Sequence, residues 1–148
     1  MLLVLDSGPL GLLSDPKMSP HSQQVDDWAT DRLRAGDRLA VPEIADYEIR
    51  RELLRAGKKP GIARLDELCA GYLYLPLTTP VMHDAAMLWA DACNADGPTA
   101  HPHALDGDVI LAALARSAQA AYGRETVVAT SNVEHLALYT DARLWSDI

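Results

Sequence analysis

Cysteine is scarce in this 148-residue chain, and the little there is has no pattern. Cys69 and Cys93 fall inside helix-like segments without the paired spacing of a zinc site or a redox motif, so both are expected to be buried thiols. Long apolar runs are missing as well. No stretch approaches the ~18 consecutive apolar residues needed to cross a membrane. Repeats, low-complexity segments and linker-like stretches are absent, which makes a single domain over residues 1–148 the expected organisation. The opening MLLVLDSGPLGLL has no basic leader, is interrupted by Asp6 and Pro9, and lacks a convincing small-residue cleavage site. The expectation is therefore a cytoplasmic protein.

Basic residues are the other shortage. Thirteen Lys and Arg stand against 21 Asp and Glu, a net charge of −8. That is the opposite of the broad basic surface with which a protein grips nucleic acid through its phosphates. Distribution softens the conclusion, because six of the thirteen (Arg50, Arg51, Arg55, Lys58, Lys59 and Arg64) fall within residues 50–64, where Glu52 is the only acid. This patch is either a solvated helix face and turn or a surface that contacts phosphate or a partner.

What is present is ordinary globular material, 49% hydrophobic and 23% charged, enough to bury about two-thirds of the surface of the unfolded chain. LLVL at residues 2–5 is a short apolar run closed by an acid and a Ser-Gly-Pro turn signal, which suits a buried strand. A short helix around Leu10–Leu13 and a periodic helix from about Gln23 to Ala35, stopped by Gly36, follow. RLAV reads as a second strand, and Pro42 fits the first turn of a helix that runs to the stop signal Gly57. A helix over Ile62–Ala70, a strand in GYLYLPL and a helix from Pro80 to about Gly97 come next. Residues 96–107, rich in Pro, Gly and His, read as a loop. A buried helix then starts near LDGD, TVVAT makes a fourth strand, NVEHLAL a short helix, and ARLW a last edge strand.

Strands alternating with helices predict an α/β fold, a three-layer α/β/α sandwich around a mainly parallel sheet of four or five strands. Ligands of such sheets sit beyond the carboxyl ends of the strands, where the strand order reverses. Asp6 ends the first strand and Thr130 to Asn132 follow the fourth, so both belong at that rim. Glu48 lies in a helix facing partly inward, and Asp106 and Asp108 open a helix that is apolar on every side. Carboxylates gathered at one rim repel one another, and a divalent cation relieves that repulsion. Oxygen donors without a Cys/His set favour Mg2+ or Mn2+ over zinc, and such sites serve phosphoryl transfer or phosphodiester hydrolysis.

Each residue also has a local explanation. Asp6 can cap the turn after its strand, and Glu48 can lie on a helix surface. Asp106 is a natural N-cap, with Asp108 favoured in the first turn by the helix dipole. Ser131 and Glu134 match a capping box. His101 and His103 lack the third partner a metal site needs, and Trp28, Trp89 and Trp145 read as core or interface residues.

Taken in order, LVLDSGPL, VPEIADYEIRREL, LDGDVILAALA and VVATSNVEHL resemble the PIN-domain family of metal-dependent ribonucleases, including the VapC-like toxins of bacterial toxin–antitoxin pairs. The resemblance spans nearly the whole chain. It implies that Asp6, Glu48 and Asp108 are the catalytic acids, holding one or two Mg2+ or Mn2+ ions and a water that attacks an RNA phosphodiester. The family usually has an acid after Thr in the fourth motif, where this chain has Asn132. An amide oxygen can ligate a metal but brings no charge, and Asp106 is a candidate to restore it. The resemblance also offers Ser7, Thr130, Arg50 and Arg51 as contacts to water or phosphate, and implies a homodimer silenced by an antitoxin laid across the site. Two rivals share the sequence pattern. One is a non-catalytic PIN-like module that binds RNA or protein, favoured by Asn132 and the acidic charge. The other is a flap-type DNA nuclease, which usually needs a longer chain.

Overall fold

A computed structural model describes residues 1–96 and 102–148, with side chains described for 1–95 and 106–148. Five strands, β1 (Leu2–Leu5), β2 (Arg38–Pro42), β3 (Leu73–Leu75), β4 (Thr126–Thr130) and β5 (Ala142–Leu144), form one sheet in the order β3-β2-β1-β4-β5. Every pairing is parallel, with Leu3 opposite both Leu39 and Val127. The expected sheet is confirmed at its larger size, and it is wholly rather than mainly parallel.

β1 is buried at every position because both faces of the sheet are covered. Successive side chains point to opposite faces, so Leu2 and Val4 join one core with Ala40 and Val128 while Leu3 and Leu5 join the other with Leu39, Val41, Val127 and Ala129. The first core is closed by α5 (Thr79–Asp96) and α6 (Pro102–Tyr122), through Val81, Ala85, Val109, Leu111 and Leu114. The second is closed by α1 (Ser7–Leu13), α2 (Pro20–Arg34) and α4 (Lys59–Gly71), through Leu10, Leu13, Val25, Leu65 and Leu68. Fully burying each such Leu or Val is worth about 1.5–3 kcal/mol. The helix α3 (Glu43–Arg55) stands at the carboxyl edge with Ala45 in the second core and Ile44 against the first, so it bridges the two layers.

Several boundaries moved, each for a local reason. Pro42 is not in the first turn of α3 but ends β2 and takes the N-cap position of the helix. α2 begins at Pro20 because Ser19 accepts a hydrogen bond from the Ser22 amide and proline suits the first turn. Beyond its C-cap, Ala35, Gly36 takes φ +89°, a conformation open to glycine. Of the stretch 96–107 expected as a loop, Asp96 belongs to α5 and residues 102–107 to α6, which places Asp106 and Asp108 inside a helix rather than at its start. The N-cap reading of Asp106 fails for that reason. His101 lies outside the described residues, as does the side chain of His103. The capping box is not formed either: the short helix α7 (Val133–Leu136) has Asn132 as its N-cap, with no side-chain cap bond. Among the described residues no helix is long and apolar enough to cross a membrane.

Candidate active site

The chain runs from β1 outward through β2 to β3, then returns to place β4 on the other side of β1. The strand order therefore reverses at β1, and the crevice opens beyond the carboxyl ends of β1 and β4. Asp6 sits there. Its Oδ1 accepts the Ser7 amide hydrogen at 2.6 Å, and its Oδ2 accepts the Thr130 hydroxyl at 2.6 Å. The same Thr130 oxygen accepts the Asn132 amide hydrogen at 3.0 Å. Asp6 is thus both the cap of α1 and a cleft residue, and the completely buried Thr130 serves to fix it.

A cleft of about 340 Å³ is lined by Asp6, Ser7, Glu48, Gly107, Asp108, Asn132 and His135, with Ile44, Ala45, Leu111 and Leu136 as its apolar wall. Four elements supply the oxygen donors: the end of β1, α3, α6 and the start of α7. Gly107 is what lets α3 and α6 approach at this level. A Cβ built on it would lie 2.7 Å from Glu48 Oε1.

Among the described residues no arginine or lysine forms an ion pair with these acids. Burial pushes the Asp108 carboxyl up to about 6, helped by the charge of Asp6, opposed by His135 and helped further by Glu48. Burial likewise raises Glu48, with the Ser7 hydroxyl and Arg51 working against it and Asp6 with it. Among the described residues no three His, Cys, Asp or Glu side chains stand close enough to form a ready-made metal cluster. The donor chemistry still suits a hard divalent cation: three carboxylates and one amide face a common cleft, where burial first and neighbouring charge after it disfavour the ionised forms of Asp108 and Glu48.

Other expected site residues are placed elsewhere. Asp106 is exposed and lines a different groove, between α5 and α6, with Met82, Ala85, Trp89 and Ile110. Arg50 is turned away from the cleft: its guanidinium pairs with Asp46 at 2.9 Å and with Asp66 at 2.8 Å. Arg51 is exposed on the outer side of α3, over the Tyr47 ring. The rest of the basic stretch is partly spent on acids, Arg55 on Glu52 and Arg64 on Asp26 and Glu67. Both cysteines are free thiols and only partly buried. Trp28 packs edge-on against Trp145, while Trp89 is exposed.

His135 went unnoticed in the sequence. Its signal was the spacing, since Asn132 and His135 in NVEHL are three residues apart and share one face of a helical turn.

No family model and no curated protein matches this chain. Solved structures do. One chain in the structure of VapBC2 from Rickettsia felis, bound to a DNA fragment from the promoter, superposes with a TM-score of 0.70 at 13% identity, covering 98% of this chain and 99% of that one. A chain of VapBC-1 from nontypeable Haemophilus influenzae superposes with a TM-score of 0.68 at 16% identity, covering 99% of each. Full-length agreement at so low an identity is agreement in fold. The chain therefore has the PIN-like fold of the VapC-type proteins that its four motifs resemble.

Proposed function

We propose that this chain is a Mg2+- or Mn2+-dependent endoribonuclease acting in the cytoplasm as one domain over residues 1–148, the toxin of a toxin–antitoxin pair. The observation that carries the reading is the convergence of Asp6, Glu48 and Asp108 on one cleft at the point of strand-order reversal, with no arginine or lysine lining that cleft among the described residues. Such a cluster costs stability and serves no packing purpose, which is the mark of a site kept for chemistry. Asp6, Glu48 and Asp108 would hold the cation, with the Asn132 amide oxygen as a neutral fourth donor. When bound, the cation supplies charge to stabilise an attacking and a leaving oxygen at phosphorus. The chain's own residues do the rest: Thr130 and the Ser7 amide hold Asp6 in one orientation, while Ile44, Leu111 and Leu136 limit water at one wall. Likeness in fold to VapBC structures supports an antitoxin as partner, and the motif resemblance adds a homodimer.

The test is cleavage of a total-RNA pool by the purified protein with Mn2+, alongside Asp6→Ala. Cleavage by the wild type and none by the variant is the expected result. No cleavage, together with an Asp6→Ala variant that keeps the wild-type effect on growth, overturns the reading.

One observation favours a second reading, a binding module without catalysis: Asn132 contributes no charge where the family usually has an acid, although it lines the cleft. Asn132→Asp separates the two. In a nuclease it strengthens Mn2+ binding and changes the cleavage rate; in a binding module it leaves RNA uncut.

A further inference from the structure

Resting on the nuclease reading, we propose that His135 is a phosphate-contacting residue, donating an imidazole N–H to an oxygen of the phosphodiester seated in the acidic cleft. Among the described residues it is the only basic side chain that lines the cleft. The arginines that follow Glu48 in sequence do not reach the cleft, because Arg50 is held between Asp46 and Asp66 and Arg51 lies on the outer side of α3 over Tyr47. A phosphodiester entering here meets three carboxylates, and even with a divalent cation bound its oxygens need donors of their own. Ser7 and Asn132 can supply neutral hydrogen bonds. His135 adds one that carries an N–H in either protonation state and gains charge assistance when the ring is protonated. It is half-buried on α7, beside the buried Leu136, so its backbone is anchored in the core while the ring faces the cleft.

The decisive measurement is the affinity of a fluorescent single-stranded RNA of about ten nucleotides, with Ca2+ in place of Mn2+ so that the strand is held rather than cut. Mn2+ affinity is measured separately by calorimetry. His135→Ala is expected to weaken RNA binding about tenfold, while Mn2+ affinity stays within twofold of wild type. His135→Gln, which keeps an N–H donor, is expected to recover most of the loss and covers the case of an alanine variant that folds poorly. With Mn2+, the defect appears mainly in KM. RNA binding unchanged in both variants overturns the proposal, as does a loss that follows weakened Mn2+ binding. Failure of the nuclease reading looks different: the wild type cuts nothing, yet His135→Ala still loses affinity for RNA. In that event the phosphate contact stands without the catalysis.

Discussion

Two faces of α3 treat their carboxylates in opposite ways. Asp46, nearly buried, accepts hydrogen bonds from the Tyr74 hydroxyl at 2.9 Å and from Arg50 Nε at 3.0 Å, and Arg50 goes on to Asp66 on α4. Two residues later, Glu48 points into the cleft with Asp6 and Asp108, where no arginine or lysine is among the described lining residues. The same helix shows that this chain can neutralise a buried acid when it needs to. The price is visible around Asp46, where the Tyr74 hydroxyl and the Cys69 thiol, the latter to about 11, are pushed up by burial first and then by the neighbouring charge. Leaving Glu48 and Asp108 unpaired is therefore a property of the cleft rather than a general shortage of arginine.

Removing charge from each side should have opposite consequences. The largest effect belongs to Asp108→Asn. We expect it to lower metal-dependent cleavage by about 10²–10³-fold, the scale of losing one charge-stabilising group at a reacting centre. In metal-free buffer near pH 7.5 the same variant should melt a few degrees higher than wild type, a small gain because solvent screens this half-buried site. Its pH dependence fixes the cause. Asp108 releases its proton near 6 when folded and near 3.8 when unfolded, so the folded state binds more protons between those values. The contribution of Asp108 to the stability of the metal-free wild type then falls as pH rises from about 4 to 6, and Asp108→Asn removes that contribution. Because the ligand must be deprotonated, Mn2+ affinity should fall below about pH 6 in the wild type. A pH-independent affinity between 5 and 7 would show that Asp108 is not a ligand.

Asp46→Ala is the contrasting case. It leaves Arg50 and the Tyr74 hydroxyl without their shared acceptor, at a cost of about 2–3 kcal/mol. A drop of about 5–10 °C in thermal melting is expected in a domain of this size. Cleavage per folded molecule should remain close to wild type, so an inactive but stable Asp46→Ala would erase the distinction between the two faces.

Gly107→Ala works on the boundary of the cleft. The new methyl would displace the flexible Glu48 carboxylate, which lies within 2.7 Å of it, rather than any backbone. Helix propensity favours alanine by up to about 1 kcal/mol, so melting should hold or rise while Mn2+ affinity drops about tenfold. Calorimetry and a thermal melt on one sample decide it. The smallest effect is expected of Asp106→Asn. Since Asp106 faces the groove between α5 and α6, its loss should leave Mn2+ affinity unchanged, and a several-fold weakening would restore it as the substitute for the charge missing at Asn132.

Much of this was legible in the sequence, for identifiable reasons. LLVL and TVVAT read as strands because β-branched and leucine runs of that length, closed by an acid or a turn, have little other use, and both proved fully buried. Asp6 was readable from its place at a strand end. Helix starts were less legible. Proline and histidine made residues 102–107 look like loop, yet α6 already includes them, and Ser131–Glu134 imitated a cap that the chain does not form. Arginines next to Glu48 in sequence looked like neighbours of the site, but consecutive residues on a helix lie about 100° apart, and Arg50 found acids on α3 and α4 instead.

By itself, the sequence determined the alternation of strands and helices, the parallel sheet it entails, and the residue types available for a metal-type site, because hydrophobic periodicity and strand-end acids are local properties. Only the tertiary structure decided which acids meet. Asp106 and Asp108 are two residues apart on one helix, so helical geometry turns them to different sides, and the packing of α3 against Gly107 selects Asp108 for the cleft. The same packing brings in His135 from the far end of the chain, a juxtaposition that arises from the return of β4 to the side of β1.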